Sequence, residues 1–156
     1  MKNVTSEIAL YAGLYLPGQE IATTAALLKL QRSEMREGGQ LAYGLGYLDK
    51  PEAIALNPLH LPLHREPFSL PQRPLRDGGA MPLTIKDALP DAWGRLVISR
   101  RLSGRIPGNH ELLLLTNDDR VGAMVFSETR EMPAPAELPP HDLAQLADAV
   151  HRLQYD

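Results

Sequence analysis

The spacing of hydrophobic and polar positions changes about halfway along the chain. Residues 7–16 (EIALYAGLYL) are rich in Ile, Leu and Tyr and predict a strand that ends at the turn dipeptide Pro17–Gly18. Residues 20–30 fit either a second strand of a hairpin or a helix, and their β-branched residues favour a strand at least as far as Ala25. The first half of the chain therefore predicts β-structure.

Glycine and proline interrupt this pattern at two places. Gly38–Gly39 predicts a turn, followed by a short strand near residues 40–44. Residues 65–82 contain several prolines and predict an irregular loop.

The second half predicts helices before a last strand. Pro90 suits the first turn of a helix, which should continue to about Leu102 and stop near Gly104. Residues 109–116 predict a second short helix, and residues 118–128 a turn that enters a strand.

The predicted helix before Gly104 is apolar on two sides. Leu89, Ala92, Trp93, Leu96 and Val97 fall within one arc and predict the side that faces the core. A second set lies on the far side and predicts a candidate interface: Gly94, Ile98 and Leu102. Two interpretations remain open for this second side. It is either buried within the same domain or it meets another domain or chain.

The composition changes again near the C-terminus. Residues 129–140 are rich in proline and predict a stiff linker. Residues 141–156 predict a helix with one apolar face, which needs a surface to pack on. Together the elements predict an α+β fold with a mainly antiparallel sheet, two short helices on one face, and a C-terminal linker and helix.

Charge and composition exclude several classes of protein. The chain has 156 residues, a formal net charge of −3 and no cysteine, so it has neither a disulfide framework nor thiolate metal sites. The N-terminal segment lacks a long apolar core and is not expected to be a signal peptide, and no apolar run in the sequence is long enough to cross a bilayer. We expect a cytoplasmic protein that binds neither nucleic acid directly nor a membrane.

No catalytic, cofactor-binding or metal-binding residue is predicted. The glycines of GGQLAYGLG lack the Lys and Ser or Thr of a phosphate-binding loop. His60 and His64 have the spacing of metal ligands on a helix, but Pro62 between them argues against one regular helix, and no third ligand is evident. Four arginines near residue 100 predict a solvated or salt-bridged face rather than a phosphate site. Asp118, Asp119 and Arg120 predict a turn cap or, because they lie at a loop tip, a partner contact.

Three segments resemble the N-terminal region of the HipA-family toxin kinases of bacterial toxin–antitoxin systems. They are YLDKPEAIALNPLHLPL (47–63), IKDALPDAWGRLVISRRL (85–102) and LTNDDRVGAMVFS (115–127). Their order and spacing agree with the family, and the resemblance covers most of residues 7–128. It implies a HipA-like N-terminal subdomain over 1–128, the linker over 129–140, and in 141–156 the start of a helix that leads to a kinase core.

The resemblance implies two alternative functions. In one, the chain is the non-catalytic N-terminal portion of a HipA-type serine/threonine kinase, which supports the kinase lobe and contacts a helix-turn-helix antitoxin. In the other, it is a complete HipS-like antitoxin subunit that binds and inhibits a separate kinase. Either way, ATP and Mg²⁺ are expected only in the kinase core, which this chain lacks, so the chain alone should not be catalytic.

Overall fold

The computed structural model describes residues 6–116, 122–135 and 143–155. The described chain begins with strands and continues with short helices. In chain order its elements are β1 (Ser6–Leu14), β2 (Thr23–Arg32), β3 (Arg36–Tyr43), α1 (Leu45–Leu48), β4 (Phe68–Pro74), a 3₁₀ turn (Leu75–Asp77), α2 (Leu83–Lys86), α3 (Ala92–Arg101), α4 (Asn109–Leu115), β5 (Met124–Ser127) and α5 (Leu143–Tyr155).

The strands form one antiparallel sheet in the order β4-β3-β2-β1-β5. Two consecutive hairpins build its centre, and β5 returns from the helical half to pair with the end of β1. An antiparallel sheet combined with short helices confirms the predicted α+β fold. The one-turn helices α1 and α2 were not predicted.

Alternating side chains give the sheet one apolar and one polar face. Leu10, Leu28 and Leu41 are buried, whereas Lys29 and Gln40 on the opposite face are exposed. The apolar face continues into the second half of the chain, whose buried members of the same core cluster are Ala80, Met81, Ile85, Ala88, Leu113 and Phe126. This packing fixes the positions of α2 and α4 beside the sheet.

The predicted turn at Gly38–Gly39 is wrong, because both glycines lie inside β3. The chain reverses earlier instead, where the Ser33 amide donates to the Arg36 carbonyl oxygen over 2.9 Å. A Cβ atom at Gly39 would overlap the carbonyl oxygen of Lys29 on β2. Glycine therefore serves close strand approach here rather than a turn.

The predicted irregular loop over residues 65–82 is also wrong in part, since it contains β4. Pro71 and Pro74 belong to this strand even though proline cannot donate a ladder hydrogen bond. They are tolerated because β4 is an edge strand with one free side.

The C-terminal predictions fall partly on described residues. Residues 129–135 of the predicted linker contain neither helix nor strand, and residues 136–140 lie outside the described residues. Helix α5 confirms the helix predicted over residues 141–156, whose ends at 141, 142 and 156 also lie outside. The division into subdomain, linker and leading helix stays a prediction.

Candidate interaction surface

A buried glutamate ties the sheet to the segment that precedes α2. The Glu37 side chain is 2% exposed and forms an ion pair with Arg32, whose Nη2 lies 2.6 Å from Glu37 Oε2. The other carboxylate oxygen accepts a hydrogen bond from the Ala80 amide over 3.1 Å. This contact anchors the chain immediately before α2 to strand β3.

Two tyrosines hold the long connection between α1 and β4. The Tyr43 hydroxyl donates to the Leu61 carbonyl oxygen and accepts from the Leu56 amide over 2.8 Å. The Tyr47 hydroxyl donates to the Ile54 carbonyl oxygen over 2.8 Å, and the two rings stack with centroids 6.2 Å apart. Burial raises the pKa of both phenols above the ordinary value. Both hydroxyls therefore stay protonated and able to donate at neutral pH.

The sequence before α3 explains where this helix begins. The Asp91 carboxylate caps it by accepting a hydrogen bond from the Gly94 amide over 2.8 Å. Pro90 therefore lies just before the cap. The prediction that places it in the first helical turn is wrong by this margin. A Cβ atom at Gly94 would lie 2.9 Å from the Pro90 side chain. The proline ring, not the backbone of another element, accounts for this glycine.

Polar contacts also fix the connection from α3 to α4. Glu111 accepts a hydrogen bond from the Gly108 amide over 2.8 Å and forms a 2.8 Å ion pair with Arg105. The Gly108 amide and then Arg105 hold the pKa of the Glu111 carboxyl below its ordinary value. Glu111 therefore fixes the residue at which α4 begins and ties Arg105 of the preceding loop to that helix.

The two sides of α3 are reversed relative to the prediction. Trp93 and Leu96 were expected in the core, but they are 38% and 42% exposed. Ile98, expected on the outer side, is 9% exposed and is the only buried residue of α3. Ile98 lines a groove together with Leu115 and Thr116 at the end of α4, whereas Trp93 and Leu96 do not line it.

An apolar groove runs between α3, its preceding turn and the end of α4. Its volume is about 430 Å³. Of the predicted interface residues, Gly94 and Ile98 line it, whereas Leu102 is partly buried outside it. Residues of both polarities form its walls: Asp87, Ala88, Leu89, Pro90, Asp91, Gly94, Val97, Ile98, Arg101, Leu115 and Thr116.

Next to the groove, α3 presents three exposed side chains that we call the outer stripe: Trp93, Leu96 and Arg100. Their spacing of three and four residues places them on one face of the helix. Exposed Trp and Leu beside an apolar groove are typical of a protein-binding surface. Periodicity alone assigned Trp93 and Leu96 to the core, and the structure leaves both exposed.

The charges around α3 are only partly satisfied. Arg95 donates to the Pro90 carbonyl oxygen over 3.1 Å, and Arg105 pairs with Glu111. Within the described residues, Arg100 and Arg101 form no ion pair. Arg100 in the outer stripe therefore carries positive charge available to an acidic partner, whereas Arg101 in the groove is accompanied by Asp87 and Asp91.

The remaining sequence candidates add no second site. Asp118, Asp119 and Arg120 lie outside the described residues. In the part of the chain that the structure describes, no group of three His, Asp or Glu side chains is placed to hold a metal ion. The same part contains no helix with the length and apolarity needed to span a membrane. The interface role of Gly94, Ile98 and Leu102 stays a prediction.

Comparison with known proteins identifies the family. No curated protein and no solved structure matches the chain significantly. The sequence model described as HipA N-terminal domain matches residues 23–127. The matched range includes β2 to β5 and both helices of the groove. It places the protein in the context of toxin–antitoxin systems, as the resemblance implied. The chain therefore belongs to the HipA N-terminal domain family.

Proposed function

We propose that this chain is the non-catalytic N-terminal portion of a HipA-type serine/threonine kinase and that α3 binds the kinase core. The observation that carries the proposal is the outer stripe, in which Trp93 and Leu96 are exposed on a helix of a HipA N-terminal domain. Isolated apolar residues are common on surfaces, but here they adjoin an apolar groove. A protein partner would bury the stripe and the groove together.

The residue types of the outer stripe suit an energetic centre of binding. Tryptophan and arginine are enriched among the residues that dominate interface energies. Trp93 and Arg100 supply both types on one face of α3, and Leu96 lies between them. A complementary surface would therefore combine an apolar pocket for Trp93 with a carboxylate near Arg100.

Helix α5 supports a second contact with the same partner. Its described side chains are exposed, and Val150 is 43% exposed. The sequence pattern of residues 141–156 predicts one apolar side for this helix. Such a helix gains most of its stability from packing. The kinase core is the partner we propose for this side as well.

In this proposal ATP and Mg²⁺ bind to the kinase core and not to this chain. This chain would position the core and, with it, contact a helix-turn-helix antitoxin in the cytoplasm. The same surface would serve a core that continues the polypeptide or one that is a separate protein. In the second case the chain would act as the HipS-like inhibitory subunit.

Binding of the chain to a separately purified kinase core of its own system tests the proposal. Calorimetry should show a complex that Trp93→Asp and Leu96→Asp each weaken by about tenfold or more. Ile21→Asp is the matched control, because Ile21 is 63% exposed and lies outside α3. Unchanged binding by both α3 variants would refute the proposed surface. Loss of kinase autophosphorylation on adding the chain would favour the inhibitory subunit, and retained activity the supporting role.

A further inference from the structure

One side of β1 has an open edge. Strand β2 pairs with β1 along its whole length, from Ser6 to Leu14. On the other side, β5 pairs only with Tyr11–Leu14. Among the described residues, no strand therefore pairs with the outer edge of Ser6–Leu10.

The chain that leaves β5 turns away from this edge. The Ser127 hydroxyl accepts a hydrogen bond from the Thr129 amide over 3.1 Å, which bends the chain directly after β5. The Arg130 carbonyl oxygen then accepts from the Thr24 hydroxyl over 2.6 Å, and Met132 lies against Gly13. Residues 130–132 thus cross the sheet instead of extending β5 alongside Ser6–Leu10.

The open edge lacks the features that usually protect an edge strand. The opposite edge of the sheet, β4, carries Pro71 and Pro74. Residues 6–10 (SEIAL) contain no proline, glycine or lysine, and Glu7 is their only charged residue. An edge of this kind is a template for pairing with another extended segment.

The side chains of β1 indicate what kind of segment fits. Ile8 packs against the core and Leu10 is buried, so an added strand would continue the apolar face with apolar residues. Glu7 is exposed on the other face and has no ion pair within the described residues. A lysine or arginine opposite Glu7 would satisfy this charge. Lys29 on β2 lies diagonally opposite Glu7 and already offsets part of its charge, so we expect the charge of the added segment to change its affinity only slightly.

We infer that the open edge of β1, Ser6–Leu10, binds an extended protein segment in which apolar and basic residues alternate. The segment adds a strand to the sheet in line with β5. Backbone hydrogen bonds to the edge supply most of the affinity, and the alternation supplies the selectivity. This site lies on the sheet and is independent of the α3 surface.

A short acetylated peptide of alternating lysine and valine is the probe. Titrated into the isotope-labelled full chain, it should shift the amide resonances of Ser6–Leu10 and slow their hydrogen exchange. The same peptide with N-methylated backbone amides should bind about tenfold more weakly or not at all, because added strands depend on backbone bonds. Equal binding of both peptides, or no protection of Ser6–Leu10, would overturn the inference.

A charge exchange tests the selectivity. Glu7→Lys should weaken the lysine–valine peptide by about two- to fivefold and strengthen a glutamate–valine peptide by a similar factor. Glu20→Lys is the matched control, because Glu20 is also exposed but lies in the turn between β1 and β2. Equal effects of the two substitutions would contradict the assigned role of Glu7. Protection of Ser6–Leu10 that rises with protein concentration alone would assign the edge to a second copy of the chain and overturn the inferred partner.

Discussion

Replacing Glu37 by alanine should destabilise this domain more than replacing the exposed Glu52 by alanine. Among the described residues, Glu37 is the only buried residue with a polar or charged side chain. Its carboxylate joins three donors, since Arg32 contributes two nitrogens, at 2.6 and 3.0 Å, and Ala80 its amide at 3.1 Å. Alanine removes both carboxylate oxygens and leaves all three donors without this acceptor.

The magnitude follows from where the abandoned donors lie. Ala80 is 7% exposed, so its amide loses a partner that water cannot readily replace, at a cost of about 1–3 kcal/mol. The Arg32 side chain is 29% exposed and regains part of its hydration, which limits its loss to about 1 kcal/mol. The sum, about 2–4 kcal/mol, is a large part of the roughly 5–15 kcal/mol typical of a whole domain.

Urea unfolding of the wild-type chain and three variants measures this loss. Glu52→Ala is the matched control, because it breaks the exposed 3.8 Å pair with Lys50 and should cost at most about 0.5 kcal/mol. Glu37→Gln keeps an oxygen that can accept from Ala80 and should fall between the two. If Glu37→Ala is no more destabilising than Glu52→Ala, the buried carboxylate does not anchor the segment before α2 and the reasoning fails.

Three further predictions concern α3, the tyrosines and nucleotide binding. Ile98→Ala should lower the free energy of unfolding by about 2–3 kcal/mol and Trp93→Ala by less, because Ile98 is buried and Trp93 is exposed; thermal melts giving the reverse order would contradict the burial of α3. The pKa of Tyr43 and of Tyr47 is raised in the folded state, so the stability that their protonated hydroxyls contribute is complete below about pH 10 and is lost as the pH rises through the folded pKa values. Between pH 8 and pH 12 the free energy of unfolding should therefore fall less in Tyr43→Phe than in the wild-type chain. An identical fall in the two proteins would contradict this prediction. The chain alone should bind ATP with Mg²⁺ no better than an unrelated control protein, and micromolar affinity by calorimetry would disprove this.

The sequence predicted the elements whose signals are local. The run of Ile, Leu and Tyr before Pro17–Gly18 corresponds to β1, and the β-branched residues that follow correctly favoured a strand in β2. Helices α3, α4 and α5 were also predicted, because capping residues and apolar spacing act within a few turns of the chain. The family resemblance rested on the same local segments and is confirmed by the match over residues 23–127.

Only the tertiary structure decided what depends on a neighbour. Proline-rich residues 68–74 form a strand because their free side faces outward at the edge of the sheet, and Gly39 lies in β3 because β2 passes too close for a Cβ atom. Helix α3 is apolar on both sides, so its sequence could not select the buried one. In the fold Ile98 lies in the groove beside the end of α4 and is buried, whereas Trp93 and Leu96 are exposed, and this depends on how the helices are placed and not on the spacing of apolar residues.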